Sequence, residues 1–217
     1  MNWLSLDPDE LTAAERRDLL LLAVVPRPIA WTSTLSTDGI RNLAPFSYFT
    51  VISNDPPMIA LSLERRSDGM PKDTLVNIQE TGEFVVSIAS VPLLNQLWQS
   101  SMEFSSEQDE FSLCDVDACA SDLVRPPRVR NAPISFECRL VEICHPGSDS
   151  VIFGRVVKAH LDRAILDHRR QIDPARIRPI ARVGDGFAAV GSRLRPRARR
   201  RPTGQPWMWP TYRIRPR

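Results

Sequence analysis

Apolar and polar positions follow two periods along this chain. Asp7-Pro8-Asp9-Glu10 offers an N-cap, a proline at the first helical position and acids in the first turn. Thr12 and Glu15 form a second capping-box pattern. A helix is predicted from about residue 8 to about Leu22, ending before Pro26. The period then becomes two. Ile29, Trp31, Ser33 and Leu35 alternate with Ala30, Thr32 and Thr34, which reads as a strand. Thr37-Asp38-Gly39 is a turn signal, so a hairpin follows. Asn42 to Val51 continues extended with a break at Pro45, and Asn54 to Pro57 is a tight loop.

Met58 to Leu63 is a further apolar strand. A helix from about Asp73 to Glu80 ends on Gly82, and Phe84 to Ala89 is a buried strand. Pro92 to Ser100 reads as helical. Ser101 to Val124 is polar, without a clear period, and is expected to be a surface excursion. Ile134 to Cys144 and Val151 to Leu161 are strands around Pro146-Gly147. One helical turn is expected at Asp173 to Ile177, and a last short strand after Gly184-Asp185-Gly186. Six to eight strands linked by short turns predict a mainly β fold, a small antiparallel barrel with peripheral helices. The chain lacks β-α-β-α alternation and the glycine-rich nucleotide motifs, which argues against a doubly wound dinucleotide fold.

Composition narrows the class. The chain has 217 residues, 42% hydrophobic and 25% charged, enough to bury one core. Its longest apolar run, Leu19 to Val25, has seven residues, against roughly 18 for a membrane-crossing helix. The acidic N-terminus lacks the basic region of a secretory signal. Membrane, fibrous and wholly disordered classes are excluded, and a cytoplasmic protein is expected. The net charge of +2 conceals an asymmetry, because residues 193–217 carry nine arginines and no acid. The other 19 basic residues face 26 acids, a net of −7. Residues 1–196 are expected to form the domain, and 197–217 an Arg/Pro-rich tail. Cys114, Cys119, Cys138 and Cys144, with His145, His160 and His168, show no metal-ligand spacing. Four reduced thiols and no metal site are expected.

Two stretches could carry chemistry. Pro26 to Thr34, followed by Asn42 to Ser47, combines small hydroxyl residues with a mid-strand proline, which can admit a flat ligand. An edge strand with a bulge would read the same way. Ser62 to Arg66, followed by Lys72-Asp73-Thr74, brings hydroxyls, cations and a helix start together. Those are the ingredients of a phosphate site, or of a solvated loop with Asp73 as an ordinary cap. Lys72 is one of only two lysines in the chain, the other being Lys158.

Together, P-R-P-I-A-W-x-S-T, D-G-x-x-N-L-A-P-F-S-Y-F, P-P-M and S-x-x-R-R-x-x-G-x-x-K-D-T-x-x-N resemble the flavin reductase-like family. These are FMN-binding split barrels related to the reductase components of two-component monooxygenases. Gly82 to Val86, Pro126 to Val129, Gly154 to Val157, Arg178 to Arg182, Gly191 to Arg193 and Arg195-Pro196 extend the match over roughly residues 8 to 196. The resemblance implies a six-stranded split barrel and a homodimer with FMN near the subunit interface. It places Thr32 and Ser33 on the strand lining the flavin. Asn42, Ala44, Pro45, Phe46 and Ser47 would pass along the ring. Ser62, Arg65, Lys72 and Thr74 would hold the phosphate, with Asp73 capping the helix or fixing the loop, and Asn77 as a further candidate.

One departure stands out. Matched on its D at Asp149, the family's G-D-H-x-[ILV]-[FV]-x-G puts Ser150 in the place of a histidine where the nicotinamide approaches, with Gly154 one residue early and no replacement visible in sequence. The resemblance implies an NADH- or NADPH-dependent oxidoreductase that passes electrons to a flavin or small acceptor, with a partner oxygenase as one outlet. Loss of the imidazole points instead to an FMN-binding module without reductase activity. A third reading has the Arg-rich tail, with Trp207 and Trp209, bind nucleic acid or another polyanion. The acidic body opposes polyanions elsewhere, and a solvated extension accounts equally for the tail.

Overall fold

The computed structural model describes residues 1–191. The expected tail at 197–217 and the motif residues Ser192, Arg193, Arg195 and Pro196 lie outside the described residues. The strands are β1 (Arg27–Pro28), β2 (Ala30–Leu35), β3 (Arg41–Phe46), β4 (Tyr48–Asn54), β5 (Pro57–Leu63), β6 (Glu83–Ile88), β7 (Ala118–Cys119), β8 (Arg128–Val129), β9 (Ile134–Cys144), β10 (Ser150–Leu161), β11 (Ile180–Val183) and β12 (Gly186–Ala189). The helices are α1 (Ala13–Ala23), α2 (Asp73–Thr81), α3 (Leu94–Gln99), α4 (Glu110–Leu113) and α5 (Pro174–Ile177).

Seven strands form one antiparallel sheet in the order β3-β2-β6-β9-β10-β5-β4. That is one strand more than the six expected. β3 and β4 are its two edges, yet only Ser47 separates them in sequence. The two edges must therefore meet at one corner, and the sheet curls into a barrel split along the rest of the seam. Its interior holds Ala30, Phe46, Leu61, Phe84, Val86 and Ile152, plugged by Leu75 and Ile78 of α2. Gly154 faces this core, and a Cβ there would collide with Cζ and Cε1 of the buried Phe84 ring. The helix α2 ends as predicted, on Gly82 at φ 68°.

Both faces of β2 are buried, and the reason corrects an expectation. Residues 101–124, expected as a surface excursion, send Phe111, Cys114 and Val116 over the outer face of the sheet, onto Trp31, Leu43 and Leu97. Trp31 Nε1 donates to Ser100 Oγ at 2.9 Å. Arg41 on β3 pairs with Asp109 and lies 5.5 Å over the Phe111 ring, fastening α4 to the strand. Irregular backbone has no period to read, so its anchors are silent in sequence.

The N-terminal helix is also shorter than predicted. Asp7 caps only the 3₁₀ turn Pro8–Glu10, and α1 begins at the Thr12–Glu15 capping box. The break expected at Pro45 falls at Ser47, because Pro45 sits in edge strand β3, where a missing N–H costs no ladder bond. A second small sheet, β1-β11-β12, packs beside the barrel, with Arg27 opposite Arg182. All four cysteines are free. Among the described residues, no helix is long and apolar enough to cross a membrane.

Candidate functional site

A cavity of about 610 Å³ opens between β3, the β5–α2 loop, α1 and the small sheet. That volume suits a small organic ligand. Nine of the twelve residues expected at the site line it: Asn42, Ala44, Pro45, Phe46, Ser47, Ser62, Lys72, Asp73 and Thr74. Three lie elsewhere. Thr32 is fully buried, with its hydroxyl on the Ala30 carbonyl at 3.2 Å. Ser33 donates to the Pro127 carbonyl on the outer side of the sheet. Arg65 points out to the turn and donates to Gly69 O at 3.1 Å. Asn77 is buried behind the cavity and donates to Thr34 Oγ1 at 3.0 Å.

The neighbouring Arg66 takes the wall that the motif offered to Arg65. Its Nη1 donates to Asp73 at 2.9 Å and its Nη2 to Phe104 O at 3.2 Å, while its Nε is buried with no hydrogen-bond partner. Asp73 therefore fixes the loop rather than capping the helix. The N-cap position of α2 is Lys72, with no side-chain cap bond, so the first-turn N–H groups remain available. Lys72 Nζ donates to Glu103 at 3.1 Å. Glu103 also accepts from Ser67 Oγ and N, and these bonds, with Lys72, hold its carboxyl down at about 2. A guanidinium N–H without a hydrogen-bond partner, 3.9 Å from Asp68, an ammonium, the Ser62 hydroxyl and an uncapped helix start that includes the Thr74 N–H make one anion-binding corner, while the Thr74 hydroxyl is spent on Asn42. The donor set fits a phosphate group.

The ring-sized part of the cavity runs along β3. As an edge strand it leaves outward backbone groups free of ladder bonds. Glu110 of α4 accepts Leu43 N–H at 3.0 Å. The Asn42 amide, with both ends satisfied, donates to Glu110 Oε1 at 3.2 Å and accepts from Thr74 Oγ1 at 2.9 Å. Burial pushes the Glu110 carboxyl up to about 7; the Leu43 N–H opposes this, and Asp73 and Asp109 add to it. Glu110 and Glu103 were invisible as site residues, because nothing local marks two acids of an irregular segment; Arg66 lay inside the candidate stretch, but the resemblance assigned the phosphate to Arg65 instead.

Two histidines acquire partners from across the chain. Ser150 bonds His145 Nδ1 at 3.1 Å across the β9–β10 hairpin. An imidazole thus stands beside the residue matched to the family's histidine through Asp149, although counting back from Gly154 puts that histidine on Asp149 itself. On β10, Ser150 and Val151 pair with Leu63 and Ser62 of β5, next to the anion corner. Further along, His160 Nε2 meets the fully buried Glu137 at 2.6 Å. Asp122, Glu137 and His160 bring three ligand-type atoms together, a convergence their spacing did not reveal. Their atoms satisfy one another, however. Glu137 also accepts Asp122 N–H (2.7 Å) and Leu123 N–H (2.6 Å), and Lys158 pairs with Asp122 at 3.1 Å.

A profile of the flavin reductase like domain matches residues 22–176. The chain belongs to the flavin reductase-like family, whose split-barrel fold and flavin-related oxidoreductase character it shares. It is 39% identical over 169 residues to an uncharacterised protein of Aquifex aeolicus, covering 78% of this chain and 86% of the relative. Nitrilotriacetate monooxygenase component B from Bacillus cereus superposes with a TM-score of 0.86 at 28% identity, over 90% of this chain and 99% of that one. The 2-nitrobenzoate 2-nitroreductase of Pseudomonas fluorescens superposes with a TM-score of 0.81 at 27% identity, over 90% and 96%.

Proposed function

We propose that this chain binds FMN in the cavity along β3 and works as a cytoplasmic NAD(P)H-dependent oxidoreductase of the flavin reductase type. The observation that carries the reading is the anion corner, where Arg66 Nε, buried without a hydrogen-bond partner and 3.9 Å from Asp68, and Lys72 meet the uncapped start of α2 beside an edge strand. Bound FMN would supply reversible two-electron chemistry between NADH or NADPH and a free flavin or other small acceptor. Arg66, Lys72, Ser62 and the backbone N–H of Thr74 hold the phosphate. Asn42 to Ser47 orient the ring, with Pro45 keeping the strand edge open. Glu110 holds the Leu43 backbone and the Asn42 amide in place. His145, bonded to Ser150 on the hairpin next to β5, is the imidazole this reading offers the nicotinamide.

A homodimer is part of this reading. Helix α1 buries none of its residues within the subunit and leaves Leu19, Leu20 and Leu22 exposed, so a second copy is the fitting cover. An oxygenase partner is suggested by the likeness to a monooxygenase component.

The visible spectrum of the purified protein, before and after adding FMN and removing the excess, tests the site. A bound-flavin band is expected. Lys72→Ala and Arg66→Ala should each weaken FMN about tenfold or more, as loss of a charge-assisted bond requires. A colourless protein that refuses FMN, or unchanged affinity in both variants, would overturn the assignment. Bleaching by NADH or NADPH without air separates the reductase from a passive module.

A further inference from the structure

The second small sheet brings two arginines face to face. Arg27 on β1 and Arg182 on β11 are direct cross-strand partners, and both line the cavity. Like charges in that position repel, so the pair needs a reason. Arg27 has a structural one. It is 4% exposed, and its guanidinium donates to the carbonyls of Leu21, Val24 (3.3 Å) and Gly184 (3.1 Å) and to Ser47 Oγ (3.4 Å). Those bonds tie the end of α1, the β3–β4 corner and the β11–β12 turn together.

Arg182 has no such bonds. Its guanidinium lies 4.6 Å over the ring of Phe187, its cross-strand partner on β12. Among the described residues, no acid comes within ion-pair distance of it. Its pKa is lowered from the ordinary value by burial and then by Arg27 and Arg17, with Asp185 at the cavity rim opposing. Arg17 is already paired with Glu64 at 3.3 Å. A half-buried cation with open N–H groups, held over an aromatic ring and beside a second fixed positive charge, is arranged for a planar or tetrahedral anion.

We propose that Arg182 is a second anion-binding group of the cavity, taking the carboxylate or phosphate of the small molecule that exchanges electrons with the flavin. The anion corner at Lys72 and Arg66 belongs to the β5–α2 loop, whereas Arg182 comes from a different sheet on another wall. The cavity thus carries one cationic wall for the cofactor and one for its redox partner. Phe187 supports the guanidinium, and Arg27, its own donors already used within the fold, adds only field. This inference rests on the flavin reading above.

The test uses the FMN-loaded full chain and three proteins, wild type, Arg182→Ala and Arg182→Lys. FMN affinity is measured first, by quenching of flavin fluorescence. Calorimetric titration of the loaded proteins then uses two probes, NADP⁺ for a dinucleotide phosphate and benzoate for an acceptor carboxylate. In wild type at least one probe should bind. Arg182→Ala should weaken that probe about tenfold or more, Arg182→Lys should recover part of it, and FMN affinity should stay within about twofold. The probe that responds identifies the source of the anion. Failure of wild type to bind either probe, or equal affinity in Arg182→Ala, overturns the proposal while leaving FMN binding intact. A parallel loss of FMN would assign Arg182 to the cofactor's own phosphate and overturn it too. A wild type that binds no FMN at all fails at the first step and overturns the underlying flavin reading along with it. Far-ultraviolet circular dichroism melts of all three proteins distinguish a local loss from unfolding.

Discussion

Two buried glutamates make an instructive contrast. Glu137 and Glu110 are 0% and 7% exposed, and burial alone would raise both carboxyls. At Glu137 that push is outweighed by Asp122 N–H, His160 and Leu123 N–H, which hold the carboxyl below its ordinary range. Glu110 accepts from Leu43 N–H with two acids nearby, and rises to about 7. The donor set and neighbouring charge decide the sign, not the depth of burial. The first carboxylate is a fastener between β9, β10 and the 121–125 loop. The second stands on a cavity wall, able to change charge near neutral pH.

The largest break in this contrast should come from Glu137→Ala. It leaves two half-buried N–H groups and His160 without an acceptor, and should cost about 3 kcal/mol, read by urea unfolding at pH 7. Glu137→Gln keeps an acceptor and should cost less. Because the native pKa is depressed, the charge contribution of Glu137 is present above its unfolded value and is lost as pH falls through the native one. Removing it should therefore flatten the acid limb of the stability curve.

Glu110→Gln should act in the opposite direction, by about 1–2 kcal/mol. With the native pKa raised, the protonated form stabilises the fold below the unfolded value, and that benefit is lost as pH rises through about 7. The variant should match wild type at acid pH and exceed it at pH 8, with the difference opening between these limits. Equal unfolding midpoints at pH 8 would mean the carboxyl ionises at little cost. The same substitution should remove any change in FMN affinity across pH 6–8 that arises from this group. The smallest effect is expected from Lys158→Ala, whose partner Asp122 is half exposed. Such surface pairs contribute about 0–1 kcal/mol, and a larger loss would show that the Glu137 cluster extends cooperatively to the surface.

Legibility in sequence followed the range of the interaction. Gly82, the hairpin at Thr37–Gly39 and the long strands β9 and β10 are local features, and they stand where their residues put them. Asn42 to Ser47 and Lys72 to Thr74 were readable as wall residues because each lies in a contiguous motif. Arg66 was not. Adjacent residues at a strand end point to opposite sides, and only the packing of the 103–104 segment shows which arginine faces inward. His145, five residues away, reaches the Ser150 hydroxyl because the hairpin folds back, a contact their positions in sequence do not reveal.

The sequence by itself determined the periods, the caps, the turns and the family to which the chain belongs, since each is written in residues within one or two turns of one another. The tertiary structure alone decided that β3 and β4 meet at Ser47 to curl the sheet, that an irregular polar segment seals its outer face, and that Arg27 and Arg182 share one wall. It also decided that one buried glutamate is charged more readily than usual and the other less. Those outcomes depend on groups brought together across tens of residues, where desolvation, donor count and field are properties of the assembled site and not of any stretch of chain.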